Sequence, residues 1–104
     1  MAPDPRALKL QTLLEEIQGS DAVYFQPGRN VTMDYPCIVY NVDELLTKWA
    51  NNNAYAQDVG YQVVVIDRNP DNETWRAVGR LPKSELLRTE VVENLNHYYF
   101  NLYF

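Results

Sequence analysis

The stretch that decides the fold is Asn94-Leu-Asn-His-Tyr-Tyr-Phe-Asn-Leu-Tyr-Phe104, because its side chains alternate in character with a period of two. One set is apolar and consists of Tyr98, Phe100, Leu102 and Phe104. The other set has polar groups at its tips and consists of His97, Tyr99, Asn101 and Tyr103. This alternation is typical of a β-strand that lies with one side on a core. We therefore predict a strand whose first set packs inside and whose second set faces outward, where other copies or partners can contact it.

Further strands are predicted upstream of this one. Residues 60–68 are apolar on both sides in the middle, which favours a central strand covered on both faces. A strand over residues 35–41 and a shorter one over 22–26 precede it. Residues 84–92 follow as a moderately amphipathic strand, and Glu93-Asn94 forms the turn into the closing strand.

Two helices are predicted. In the first, Pro5 suits the opening position and Gly19 suits the position just after the end. Its apolar residues recur with the spacing of one helix face, at Leu10, Leu13, Leu14 and Ile17. The second helix is short, opens after residues 69–72, and directs Trp75 and Val78 inward.

Residues 42–53 are compatible with two structures. Apolar residues spaced like a helix face occur at Val42, Leu45, Leu46 and Trp49. However, the stretch lies between two strand-like segments and ends in Asn51-Asn52-Asn53. A short helix and a long extended hairpin arm both remain open, and we favour the arm.

The order of elements is therefore α-β-β-β-α-β-β. Short connections favour antiparallel neighbours. The sequence predicts a single α+β domain over residues 1–104. It has a small mixed, mostly antiparallel sheet of four to five strands, with the N-terminal helix and the second short helix packed on one face.

Composition narrows the classes of partner. The 104 residues carry a net charge of −5 without a basic stripe, so nucleic acid is a poor candidate for the main ligand. The one cysteine, Cys37, lies in an apolar run and is expected to be buried. The sequence shows no secretory leader and no membrane span, so we expect a cytosolic site of synthesis and no membrane partner.

The sequence offers no assembled reactive site. His97 is the only histidine, and no other metal-ligand or base partner lies near it in sequence. Residues 67–73 resemble the start of a calcium loop, but Asn72 stands where that loop needs glycine and Val78 where it needs glutamate. A strand exit and a helix cap explain these residues better. We predict a non-enzyme with no catalytic, metal or cofactor-binding residue.

Several motifs together resemble one known group of proteins. The motifs are Val23-Tyr-Phe-Gln-Pro27, Met33-Asp-Tyr-Pro-Cys-Ile-Val-Tyr40, Tyr61-Gln-Val-Val-Val-Ile-Asp67 and the closing strand. They and the order of elements, from about residue 8 onward, are similar to the tail terminator (tail-completion) proteins at the head–tail junction of tailed bacteriophages. The resemblance implies a small α/β unit with a mixed sheet, no enzyme activity and no cofactor.

The resemblance also implies an assembly. Tail terminators form hexameric rings that cap the tail tube and join it to the head-side neck, so the expected partners are further copies, the tail tube protein and neck or connector proteins. DNA would pass through without specific binding, which suits an acidic chain. The expected location is the virion tail or neck, after synthesis in the host bacterial cytoplasm.

Two different surfaces are needed for head-to-tail contacts in a ring. Our candidates for the subunit interface are the outward side of the closing strand and the arm: His97, Tyr99, Asn101 and Tyr103 on the first, Trp49 and Tyr55 on the second. Another neck, connector or minor tail protein remains an alternative. A small acidic inhibitor of a host protein is a third possibility, but it would need acids lined along one face, and here they are dispersed.

Overall fold

The computed structural model describes residues 5–28, 31–50 and 53–104, with side chains over 8–28, 31–43 and 59–104. The elements in chain order are α1 (Pro5–Gln18), β1 (Val23–Phe25), β2 (Cys37–Ala50), β3 (Asn53–Asp67), α2 (Thr74–Gly79), β4 (Ser84–Val92) and β5 (Leu95–Tyr103). The predicted order of elements is confirmed.

The five strands form one sheet in the order β1-β2-β3-β5-β4. β1 runs parallel to β2, and the other neighbours are antiparallel. β3 is therefore the central strand, as its two apolar sides predicted. The chain has the predicted α+β fold with a small, mixed and mostly antiparallel sheet.

Both helices lie on the same face of the sheet, which we call the helix-covered face. Leu10 and Leu14 of α1 are fully buried because their spacing of four residues places them on one side of the helix. They pack in one cluster with Val78 of α2 and with Phe100 and Leu102 of β5. α1 ends at Gln18, and Gly19 follows it with a φ of 79°, a conformation that suits glycine. Neither helix in the described ranges is long and apolar enough to cross a membrane.

The opposite side of the sheet, the second face, carries a smaller cluster. Cys37, Val64 and Ile66 are buried there. The segment before β2 covers them in part, through Met33 and Tyr35. The predictions that Cys37 is buried and that β3 is covered on both faces are confirmed.

β2 and β3 continue past the rest of the sheet as a two-stranded ribbon, formed by residues 44–50 and 53–59, which we call the arm. β1 follows β2 only as far as the pair Phe25↔Tyr40, and β5 follows β3 only as far as Gly60↔Tyr103. Beyond these points β2 and β3 pair with each other up to Ala50↔Asn53. The extended-arm interpretation is confirmed and the helix alternative is wrong; Asn51 and Asn52 lie outside the described residues.

Two sequence predictions about burial are wrong. β4 is not amphipathic, because eight of its nine residues are exposed. As the outer strand, it has a neighbour on one side only within the described ranges. Phe104 does not belong to the core and is 37% exposed. It lies one residue past β5, opposite Val59 at the base of the arm, where β4 no longer continues.

Candidate assembly surfaces

The outward set of β5 lies on the second face, as alternation requires. All four predicted residues are half-buried: His97, Tyr99, Asn101 and Tyr103. The Tyr99 ring is held between two neighbours, since the Arg88 guanidinium lies 4.2 Å from its centroid and the His97 ring 6.2 Å away. The rings therefore form a fixed, partly apolar surface.

His97 is positioned by its own strand. Its Nδ1 lies 3.0 Å from the carbonyl oxygen of Leu95. Across the sheet it stands opposite Ile66 on β3 and Glu90 on β4. Among the described residues, no group of three His, Cys, Asp or Glu side chains is arranged to hold a metal ion. The His97 ring is therefore held on the second face, stacked beside Tyr99.

A row of polar side chains crosses the second face. Its members are register partners on four successive strands: Asn41, Gln62, Asn101 and Glu85. The Asn101 Oδ1 atom is buried without a hydrogen-bond donor in the described part of the chain. The row therefore places hydrogen-bonding groups on the second face beside its rings.

Sequence reasoning selected only Asn101 from this row. The signal was present in Asn41 and Gln62, which interrupt apolar strands at positions where alternation would place another apolar residue. Without the register, nothing in the sequence shows that these amides lie side by side.

The predicted arm residues lie elsewhere in the molecule. Trp49 stands opposite Ala54 near the tip of the arm, and Tyr55 follows within the same ribbon. Their side chains lie outside the described set. Strands rise about 3.3 Å per residue, so the tip lies roughly 20 Å beyond the end of β5. The two predicted groups of interface residues therefore occupy separate places on one protomer, and their role in assembly remains a prediction.

β4 adds a surface that sequence reasoning missed. Large apolar side chains along it are exposed by 41–68%: Leu86, Leu87, Val91 and Val92. The adjacent pair Val91-Val92 was the available signal, since neighbouring residues of a regular strand point to opposite faces. At Leu86-Leu87 this alternation is interrupted by a register shift between Leu86 and Arg88.

The loop between β3 and α2 uses its polar side chains for its own turns. Asp67 Oδ1 accepts a hydrogen bond from the backbone N–H of Asn69, and Asn69 Oδ1 accepts one from Asp71. The buried Asn72 accepts from the Trp75 N–H at the start of α2. The predicted strand exit and helix cap are confirmed for these residues.

Two groups with clearly shifted pKa values, Cys37 and Tyr40, are buried side chains of the core. Burial, with a smaller effect of Asp67, raises the pKa of the Cys37 thiol to about 11. Burial also raises the pKa of Tyr40 to about 12, helped by Tyr61 and Glu15. The Tyr40 hydroxyl donates a 2.6 Å hydrogen bond to Gln11 Oε1 on α1. A thiol with a raised pKa is a weak nucleophile, so Cys37 is suited to packing.

No protein-family model matches this chain, and no curated protein matches it either.

Proposed function

We propose that this protein is a structural component of a tailed bacteriophage virion, a tail terminator or tail-completion protein. It forms a hexameric ring that caps the tail tube and joins it to the head-side neck. The role is non-enzymatic and uses no cofactor. The observation that carries the proposal is the arm, together with the separate aromatic and amide surface on the second face.

The arm has little to stabilise it within a single protomer. A two-stranded hairpin alone is at best marginally stable in water. Within the described residues, the ribbon beyond Glu44↔Gly60 has strand pairing only between its own two strands. Its sequence is nevertheless rich in apolar residues: Leu45, Leu46, Trp49, Ala54, Tyr55 and Ala56. Contact with a neighbouring subunit would stabilise it.

The second face offers a suitable recipient. Half-buried rings and amides at Tyr99 and Asn101 combine apolar area with hydrogen-bonding capacity, which is typical of the centre of an interface. An arm on one protomer and a recipient on the next make a heterologous contact, and such contacts close into a ring when the rotation from one subunit to the next closes on itself.

The charge of the protein fits the same role. A net charge of −5 repels the DNA backbone, so a ring of such subunits lets DNA pass without holding it. The partners on this proposal are the tail tube protein on one side and a neck or connector protein on the other, within the virion.

The decisive experiment is electron microscopy of the purified full chain, alone and mixed with tail tubes, together with its mass in solution. We expect hexameric rings, and in the mixture a ring at one end of each tube. A monomer that does not bind tail tubes, and binds a host protein instead, would contradict the proposal.

The recipient surface is tested with the double substitution Tyr99→Ala and Tyr103→Ala. We expect a folded protomer that no longer forms rings, with a lowered melting temperature because Tyr99 packs against Arg88. Leu8→Ala is the matched control, since it removes an exposed apolar side chain from α1. Rings formed by the double variant would exclude this face as the recipient.

A further inference from the structure

The outer edge of β4 is a free sheet edge, to which a further strand could pair. In the described ranges β4 pairs with β5 alone, so backbone groups along its other edge face solvent. Its side chains add exposed apolar area at Leu87 (52%) and Val91 (68%). An exposed edge with unpaired backbone groups can pair with another chain, and the charged side chains along it restrict which partner fits.

The sequence of β4 is complementary to itself. In an antiparallel pairing that places Thr89 opposite Thr89 of a second copy, Arg88 stands opposite Glu90, in the part of β4 that follows the register shift between Leu86 and Arg88. This charged pair occurs twice because the arrangement has a two-fold axis, and the exposed Leu87 and Val91 lie just outside it. Opposite charges and apolar residues facing each other across strands stabilise a sheet, whereas like charges destabilise it.

In this register the two charged side chains, Arg88 and Glu90, must lie on the same face of the sheet, and they do. Arg88 and Glu90 stand opposite Tyr99 and His97 on β5, which places both on the second face. Arg88 Nε lies 3.9 Å from Glu90 Oε2 within one copy, and both side chains remain substantially exposed, by 62% and 46%. A partner strand can therefore reach both charges.

We infer that two copies of this chain associate through β4 in this register and form one continuous sheet across a two-fold axis. The occupant of the edge is a second copy, because β4 itself supplies both members of every charged pair. This contact goes beyond the proposed ring: it is isologous, whereas ring contacts are heterologous, and it leaves the arm free.

Charge reversal tests the inference. Arg88→Glu and Glu90→Arg are each expected to weaken dimer formation by at least about tenfold, because each places like charges opposite each other twice. An equimolar mixture of the two variants is expected to form heterodimers, and the double variant is expected to dimerise again. The measurement is sedimentation equilibrium of the full chain over a range of concentrations.

Glu85→Arg is the matched control, since Glu85 lies on the same strand and the same face but outside residues 87–91. It is expected to leave dimerisation unchanged. Single variants that dimerise like the original protein, or a mixture that does not recover, would overturn the inference. The inference is also overturned if the mixture of the two variants does not recover dimers while Glu85→Arg weakens the dimer. That result would indicate a different register, in which Arg88 lies opposite Glu85 of the second copy.

Amide hydrogen exchange gives a second readout. Exchange at Leu87–Val91 is expected to slow as the protein concentration rises, and to lose this dependence in Arg88→Glu. Concentration-independent exchange in the original protein would contradict pairing at this edge. Ring formation is scored separately by microscopy with Val91→Asp, which places a charge on the side of β4 away from Tyr99 and is expected to weaken the dimer but retain rings. Failure of one proposal therefore leaves the other readable.

Discussion

Tyr98 shows how one residue ties distant parts of this fold together. Its ring stacks on Trp75 of α2, with centroids 5.1 Å apart and planes 3° from parallel. Its hydroxyl donates a 2.8 Å hydrogen bond to the carbonyl oxygen of Pro70 in the loop before that helix. Burial is the largest of the causes that raise its pKa, so the phenol stays neutral. One side chain thus fixes both the helix and its loop to β5.

We predict that Tyr98→Phe lowers the free energy of unfolding by about 1 kcal/mol, because the carbonyl of Pro70 loses its donor. Tyr98→Leu should cost about 1 kcal/mol more, since the stacked pair is also lost. Chemical denaturation measures both values. Equal losses for the two variants would show that stacking on Trp75 contributes nothing.

We also predict a loss of stability at alkaline pH with an assignable cause. The pKa of Cys37 is raised from 9.0 to about 11 in the folded state, so between these values the unfolded chain has released a proton that the folded chain still holds. The thiol's contribution is therefore fully present below pH 9 and is lost as pH rises through 11. Tyr40 has the same effect, because its pKa is raised from 10.0 to about 12 in the folded state.

The measurement is the free energy of unfolding as a function of pH for the original protein and for Cys37→Ala. The variant is expected to be less stable near neutrality because a cavity forms. Its decline between pH 9 and pH 11 should be shallower. Parallel curves would show that Cys37 does not contribute to the alkaline loss.

At the scale of elements, periodicity predicted most of the fold. β5 alternates cleanly because one side rests on the helix-covered core, and α1 shows its buried stripe at Leu10 and Leu14. The arm was ambiguous because a ribbon without a covering layer needs no alternation, so the spacing from Val42 to Trp49 could imitate a helix face. The exposure of β4 was missed because strand order decides it, and strand order is a long-range property.

The turn between β4 and β5 can be improved. Glu93 and Asn94 both have positive φ, 51° and 65°, as the two central residues of a type I′ turn require. Asn-Gly is the preferred pair there, so we predict that Glu93→Asn with Asn94→Gly raises the free energy of unfolding by about 0.5–1 kcal/mol. Thermal and chemical denaturation check this. A loss of stability would mean that the Glu93 side chain makes a contact that matters more than backbone conformation.

At the scale of the whole molecule, the arm sets the shape. The protein measures 51 × 28 × 23 Å and has a radius of gyration of 14.7 Å. A compact domain of about 100 residues has a radius of about 13 Å. The excess reflects the arm, which projects beyond the rest of the sheet.

We therefore predict that replacing residues 46–58 by Asn-Gly, which retains the Leu45↔Val59 pair, separates folding from assembly. The free energy of unfolding should change by less than about 1 kcal/mol, because a lone two-stranded ribbon contributes little. Rings should disappear from electron micrographs. Leu8→Ala is the matched comparison, since it should retain rings; a shortened chain that still forms them would refute the role of the arm.

The buried thiol has a further consequence, because the sequence contains only one cysteine. Cys37 has no exposed surface, so a thiol reagent reaches it only when the second face opens. The rate at which Cys37 is labelled therefore reports how often the second face opens, and no introduced cysteine is needed. If labelling is slow in the assembled ring and fast in the free protomer, the neighbouring subunit is what keeps this face closed, and assembly could be followed in real time from a single sulfur atom.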